Sequence, residues 1–181
     1  GTQNRDEEIF GFKLFRVIAD HLTRRGIAVL RCDDRGFAAA GKMMAATSAD
    51  FAADVNAQGR YLRGRPEIDP RRVGLLGHSE GGLIAPMAQR EGQYAFLVLM
   101  AGTAVKGEEI ILEQMARISR ADGVSEKEIQ RDQADQKRIY ALLADPQGER
   151  EIGEIILAQT RRGLEQMPAE QRQAIADPEA Y

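Results

Sequence analysis

The chain has 181 residues, of which 43% are hydrophobic and 29% charged, and its formal net charge is -3. This length and composition are typical of an ordinary globular domain and argue against a largely disordered chain. The small net charge indicates neither nucleic acid nor an anionic membrane as a partner, no apolar run is long enough for a membrane span, and the single cysteine excludes an internal disulfide.

The first half of the chain alternates predicted helices and strands. Apolar residues near helical spacing predict a helix over 9–25 that ends at Gly26. A capping box, Thr-Ser-Ala-Asp, predicts that a second helix begins at 47–50. Apolar runs predict strands at 27–32, 73–76 and 95–100. Helices and strands in alternation predict an α/β fold, with a parallel sheet and right-handed crossovers.

After Gly102 the pattern changes, because no run from 107 to 181 resembles a strand. A capping box at 125–128 begins a polar helix, and the sequence Met-Pro-Ala-Glu at 167–170 begins the last predicted one. We therefore predict a partial α/β core over 1–106, followed over 107–181 by a helical cap laid over a pocket at the carboxyl ends of the strands. A helical hairpin that only covers a sheet edge is the alternative.

The pentapeptide Gly-His-Ser-Glu-Gly at 77–81 lies between a predicted strand and a predicted helix. The pattern G-x-S-x-G in this setting predicts a nucleophile elbow, a turn so sharp that it leaves no room for side chains near the serine. Gly77 and Gly81 are predicted to provide that room, and Gly82 to add clearance.

Together with the segment 1–7 and the Asp-Asp-Arg-Gly run at 33–36, this elbow resembles bacterial serine esterases of the α/β-hydrolase superfamily. The resemblance covers residues 1 to about 106 and weakens in the helical tail. It implies hydrolysis of carboxylic esters or related acyl compounds by a Ser, acid, His triad, and a helical cap. Where the family usually has a second glycine after the Asp-Asp-Arg-Gly run, this chain has Phe-Ala-Ala at 37–39, so the pocket loop is expected to differ.

The resemblance and the chemistry of acyl transfer assign roles to particular residues. Ser79 is expected to be the nucleophile, and the backbone N–H of Glu80 to be one donor to the oxyanion. The second donor is expected from the loop before the first helix, with Thr2 or Gln3 as its source. An ion pair that fixes the loop after 32, for instance one between Arg35 and Glu80, is also expected. Three side chains are predicted to line the pocket: Asp34, Arg35 and His78.

Neither histidine of the chain follows Ser79, although α/β-hydrolases place the triad in the order Ser, acid, His. His21 is expected to be a surface residue of the first helix, and His78 to point away from the serine. We expect the triad acid and base to lie beyond Tyr181 in a longer chain, or to be supplied by a second copy. The third alternative is a pseudoenzyme that lacks them. The 181-residue chain by itself is accordingly expected to show little turnover.

Two other classes of function are compatible with parts of the sequence. Residues 36–42 fit the phosphate-loop pattern G-x-x-x-x-G-K, but Met43 replaces the Ser or Thr that ligates magnesium. A binding module that keeps the elbow without catalysis is the other alternative. We expect no cofactor and no zinc site, because no Cys and His spacing supports one, and Cys32 is predicted to be a small core residue.

Overall fold

The computed structural model describes residues 3–37 and 46–167. Contacts divide the chain into two compact units, Gly1–Ala104 and Val105–Tyr181. The first combines helices with a small parallel sheet, so the fold is α/β as predicted.

The parallel sheet of the first unit consists of the strand before the elbow and the strand after the elbow helix. In chain order the elements are β1 (Glu8–Ile9), β2 (Phe12–Lys13), α1 (Leu14–Thr23), α2 (Ser48–Arg63), a 3-10 turn (Pro70–Arg72), β3 (Leu75–His78), α3 (Gly81–Gly92) and β4 (Leu97–Met100). Strands β3 and β4 pair in parallel, with His78 opposite Met100. Parallel pairing across a helical crossover is thus confirmed, although β3 begins two residues later than predicted.

The first predicted helix was placed too early in the sequence. Residues 8–13 form the antiparallel hairpin β1–β2, and its turn holds Phe10 at φ +51° and Gly11 at φ +81°. A right-handed helix requires negative φ, so α1 begins only after this turn. The predicted end is confirmed, because Gly26 has φ +77° and donates its N–H to the carbonyl of Thr23 at 3.0 Å.

The predicted strand over 27–32 does not form among the described residues. A strand is stabilised by ladder hydrogen bonds to a neighbour, and the described part of the chain offers this run no such ladder. Ile27 is half exposed, and Cys32 is exposed, so the prediction of a core cysteine is also wrong.

Helices α2 and α3 pack together, and α3 also lies against the sheet. The core comprises Ala52, Val73, Ala88 and Tyr94. The Tyr94 hydroxyl donates to the carbonyl of Val55 at 2.9 Å, which joins the chain just after α3 to the middle of α2. The predicted capping box at Thr47 is confirmed in both directions, and it fixes where α2 begins.

The regular secondary structure in the described residues of the second unit, 105–167, is all helical, as predicted. Its helices are α4 (Gly107–Ala121), α5 (Glu126–Leu143) and α6 (Glu149–Gln166). The predicted capping box at Ser125 is confirmed, and α5 packs against both α4 and α6. The last predicted helix begins at the limit of the described residues and extends beyond it, and the assignment of 107–181 as a cap stays a prediction. None of the described helices is long and apolar enough to cross a membrane.

Candidate active site

Ser79 occupies a sharp turn between the end of β3 and the start of α3. Its φ is +53°, a left-handed conformation that costs a residue with a Cβ roughly 1–2 kcal/mol. The turn is held on both sides, because Ser79 donates its N–H to the carbonyl of Met100 at 3.0 Å and accepts from the N–H of Gly82 at 2.9 Å. Ser79 is exposed. The predicted strand, turn and helix are therefore confirmed, with the serine at the strained position.

Two glycines make this turn sterically possible. A Cβ on Gly77 would lie 2.1 Å from the carbonyl oxygen of Gly81, and one on Gly82 would lie 2.3 Å from the Cα of Gly102. The requirement at Gly77 is confirmed. The same requirement predicted for Gly81 is wrong, because a Cβ there would meet no atom within 4 Å. The close approach on the helix side falls one residue later, where α3 meets the chain after β4.

Glu80 begins the elbow helix. Its carbonyl accepts from the N–H groups of Leu83 and Ile84 at 2.9 and 3.0 Å, which forms the first turn of α3. Its side-chain Oε1 accepts from the Ser48 hydroxyl at 2.8 Å, so the starts of α2 and α3 are tied together. The backbone N–H of Glu80 stands at the positive end of the helix and next in sequence to Ser79, where developing negative charge is favoured.

The segment before β1 lies against the run that follows α1. The backbone N–H of Gln3 donates to the Asp34 carboxylate at 2.9 Å, and the N–H of Asp34 donates to the Gln3 carbonyl at 3.1 Å. The Gln3 backbone donor is therefore engaged, whereas its side-chain amide makes no hydrogen bond with the described residues. Burial raises the pKa of the Asp34 carboxyl above its usual range. Thr2 lies outside the described residues.

Arg5 and Asp33 form a second connection between these two segments. Arg5 donates to the carboxylate from Nε at 3.0 Å, from Nη2 at 2.6 Å and from its backbone N–H at 2.8 Å. These hydrogen bonds and the guanidinium charge lower the pKa of Asp33 to about 2.

Replacing Asp33 by asparagine is expected to lower the free energy of unfolding near neutral pH, with less effect as the pH falls from about 4 to about 2. A carboxyl whose pKa is lower in the folded state stabilises the fold above its unfolded pKa, and that stabilisation is lost as the pH falls through the folded pKa. Urea unfolding at several pH values measures the difference. In an Arg5→Gln background the pH-dependent part should vanish, and a difference independent of pH would contradict this explanation.

Arg35 helps to fix its loop, but not through the predicted partner. Its Nε donates to the Asp54 carboxylate at 2.6 Å, and its Nη1 lies 3.6 Å from the Asp50 carboxylate. The expectation of an ion pair with Glu80 is therefore corrected: Arg35 joins its loop to α2. The phosphate-loop pattern at 36–42 extends beyond Phe37 and lies largely outside the described residues.

His78 contacts a carboxylate that the sequence did not single out. Its Nδ1 lies 2.8 and 3.0 Å from the two carboxylate oxygens of Glu7, and the Phe15 ring packs edge-on at 6.5 Å between centroids. Among the described residues, no hydrogen bond joins His78 to Ser79. His21 is exposed on α1, as expected. The structure thus brings Asp34 to Gln3, and His78 to Glu7, beside the elbow.

Across 3–37 and 46–167, no cluster of His, Cys, Asp and Glu side chains is large enough to hold a metal ion. The chemical groups that the elbow does offer are a hydroxyl on a strained turn and the amides of a helix start.

Comparison with known families agrees with this geometry. A family model described as "Serine aminopeptidase, S33" matches residues 12–176, which is most of the chain. Comparison with curated proteins and with solved structures yields no significant match. Because the match covers both the elbow and the helices that follow it, the chain belongs to this serine aminopeptidase family of α/β-hydrolases.

Proposed function

We propose that this chain carries the nucleophile of a serine hydrolase that acts on carboxylic esters or related acyl compounds, with Ser79 as that nucleophile. The observation that supports the proposal most strongly is the exposed Ser79 at φ +53° between β3 and α3. Residues rarely hold a left-handed backbone unless the surrounding structure imposes it, and such strain concentrates at functional sites. Membership of a hydrolase family supports the same interpretation.

The reaction would proceed through an acyl-enzyme. The Ser79 Oγ attacks the carbonyl carbon, the carbonyl oxygen becomes an oxyanion, and its collapse expels the alcohol, which takes up the proton that the hydroxyl lost. Water then attacks the acyl carbon, the carboxylic acid leaves, and a proton from the water restores the Ser79 hydroxyl. A base must carry that proton, and no histidine or carboxylate among the described residues is hydrogen-bonded to Ser79. Acylation by this chain is therefore expected to be slow unless a base is supplied.

The oxyanion would be bound by the backbone N–H of Glu80 and by one donor from the segment before β1. Because the Gln3 backbone N–H is engaged by Asp34, the proposed second donor is the Gln3 side-chain amide or Thr2. One such donor typically contributes about 3 kcal/mol to transition-state stabilisation.

Hydrolysis of an aminoacyl amide is the second candidate, favoured by the description of the matching family. Expelling an amine requires a general acid that protonates the nitrogen, whereas a phenolate or activated alkoxide leaves without one. No such acid is hydrogen-bonded to Ser79 among the described residues, so we rank ester chemistry first.

The two candidates are separated by p-nitrophenyl acetate and an aminoacyl p-nitroanilide, each with imidazole added as an external base. Above the release caused by imidazole alone, we expect up to one equivalent of nitrophenolate in a burst, an acetyl group on Ser79, and little nitroaniline. Faster release of nitroaniline would favour the amide. If neither compound reacts faster than with imidazole alone and Ser79 remains unacetylated, a binding module without catalysis becomes the better interpretation.

A further inference from the structure

His78 and Glu7 form a contact that the proposed chemistry does not use. His78 is the last residue of β3 and directly precedes Ser79, while Glu7 directly precedes β1. Both carboxylate oxygens lie within 3.0 Å of the imidazole Nδ1, and the side chains are only 25% and 14% exposed. A carboxylate accepts hydrogen bonds, so this contact requires His78 Nδ1 to donate an N–H.

Glu7 ends a segment, residues 3–7, that is constrained along its whole length. Its N–H donates to the carbonyl of Asn4 at 3.0 Å, and its φ is +46°. The Asn4 side chain accepts from the N–H of Asp6 at 2.9 Å and closes the same turn. A non-glycine residue keeps a left-handed backbone only where neighbouring contacts determine it.

The other end of the segment is attached to the run after α1. Gln3 exchanges two hydrogen bonds with Asp34, and Arg5 makes three with Asp33. The contact between Glu7 and His78 extends this attachment to the strand that leads into the elbow. Segment 3–7 is thereby held between the Asp33–Asp34 run and the end of β3.

We propose that Glu7 and His78 are positioning residues that fix segment 3–7, and with it the second oxyanion donor, relative to the Ser79 hydroxyl. This inference rests on the proposed function, which assigns that donor to Gln3, the first residue of the segment, or to its neighbour Thr2. The pair acts through orientation rather than proton transfer. The Nδ1 of His78 is occupied by Glu7, and no hydrogen bond connects the imidazole with Ser79 among the described residues.

Four variants of the full chain test the pair. His78→Asn keeps a side-chain N–H near the position of Nδ1 but lacks Nε2, whereas His78→Phe keeps a ring and lacks the donor. Glu7→Gln keeps an acceptor, whereas Glu7→Ala removes it. Glu67→Ala is the matched control, since Glu67 forms an ion pair with Arg65 on an exposed loop.

The first measurement is the rate at which a fluorophosphonate labels Ser79 with imidazole present. We expect His78→Phe and Glu7→Ala to label up to about 100-fold more slowly, because a misplacement of about 1 Å can cost that much. His78→Asn and Glu7→Gln should recover most of the rate, and Glu67→Ala should match the wild type. If His78→Asn is labelled as slowly as His78→Phe, the His78 side chain acts as a base and the positioning role is overturned.

The second measurement is hydrogen exchange of the backbone amides of segment 3–7, which does not depend on activity. Exchange should be faster in Glu7→Ala and His78→Phe, and close to wild type in the other three variants. Unchanged exchange in Glu7→Ala would overturn the inference, even if His78→Phe fails to fold. If wild-type Ser79 is not labelled at all, the proposed function fails, while the exchange result still decides whether the pair holds the segment.

Discussion

Replacing Gly77 by alanine is expected to destabilise the first unit by about 3 kcal/mol or more. The new methyl group would lie 2.1 Å from the carbonyl oxygen and 2.4 Å from the carbonyl carbon of Gly81. Both are backbone atoms at the start of α3, so relief requires the helix to move away from β3. Urea unfolding followed by circular dichroism measures the loss.

Gly81→Ala is the matched control for this prediction. It adds the same methyl group at the other glycine of the G-x-S-x-G pattern, where a Cβ would meet no atom within 4 Å. We expect its stability to stay within about 0.5 kcal/mol of the wild type. Equal stabilities of Gly77→Ala and Gly81→Ala would show that the turn is not packed as described.

Ser79→Ala is expected to reduce acylation of the chain by at least about 100-fold, because no covalent adduct can form without the hydroxyl. The burst from p-nitrophenyl acetate measures this, again with imidazole supplied as base. Ser79→Gly separates loss of chemistry from loss of fold, because glycine accepts φ +53° without strain. This variant should be at least as stable as the wild type and as unreactive as Ser79→Ala. A burst that survives in both variants would remove Ser79 from the mechanism.

Local signals in the sequence predicted the local structure well. The capping boxes at Thr47 and Ser125 are formed, because both partners of a box lie three residues apart and need no other part of the fold. Gly77 was assigned its role for a similar reason, since the elbow is defined within five residues. The prediction that Gly81 leaves no room for a side chain was wrong, because the space for a Cβ depends on where α3 meets Gly102, which the pattern does not encode.

Predictions that depended on distant parts of the chain were less successful. The apolar run at 27–32 has the composition of a strand, but a strand also needs a neighbour, and the described residues provide no ladder for it. The contact between Glu7 and His78 joins residues 71 positions apart, so no spacing rule could indicate it. Arg35 likewise forms its ion pair with Asp54, on the following helix, and not with the expected Glu80. Apolar residues at helical spacing also led to a helix being predicted where residues 8–13 form a hairpin. The turn of that hairpin places Phe10 and Gly11 at positive φ.

The central claim is that the Ser79 hydroxyl, held out on a strained turn, accepts an acyl or phosphonyl group. A fluorophosphonate tests it directly: the Oγ forms a bond to phosphorus, fluoride leaves, and the hydroxyl proton passes to added imidazole. Mass spectrometry of the digested protein locates the adduct. We predict an adduct on Ser79, formed about tenfold faster with imidazole and absent from Ser79→Ala. An adduct on Ser48 or another serine instead, or equal labelling of Ser79→Ala, would contradict the account.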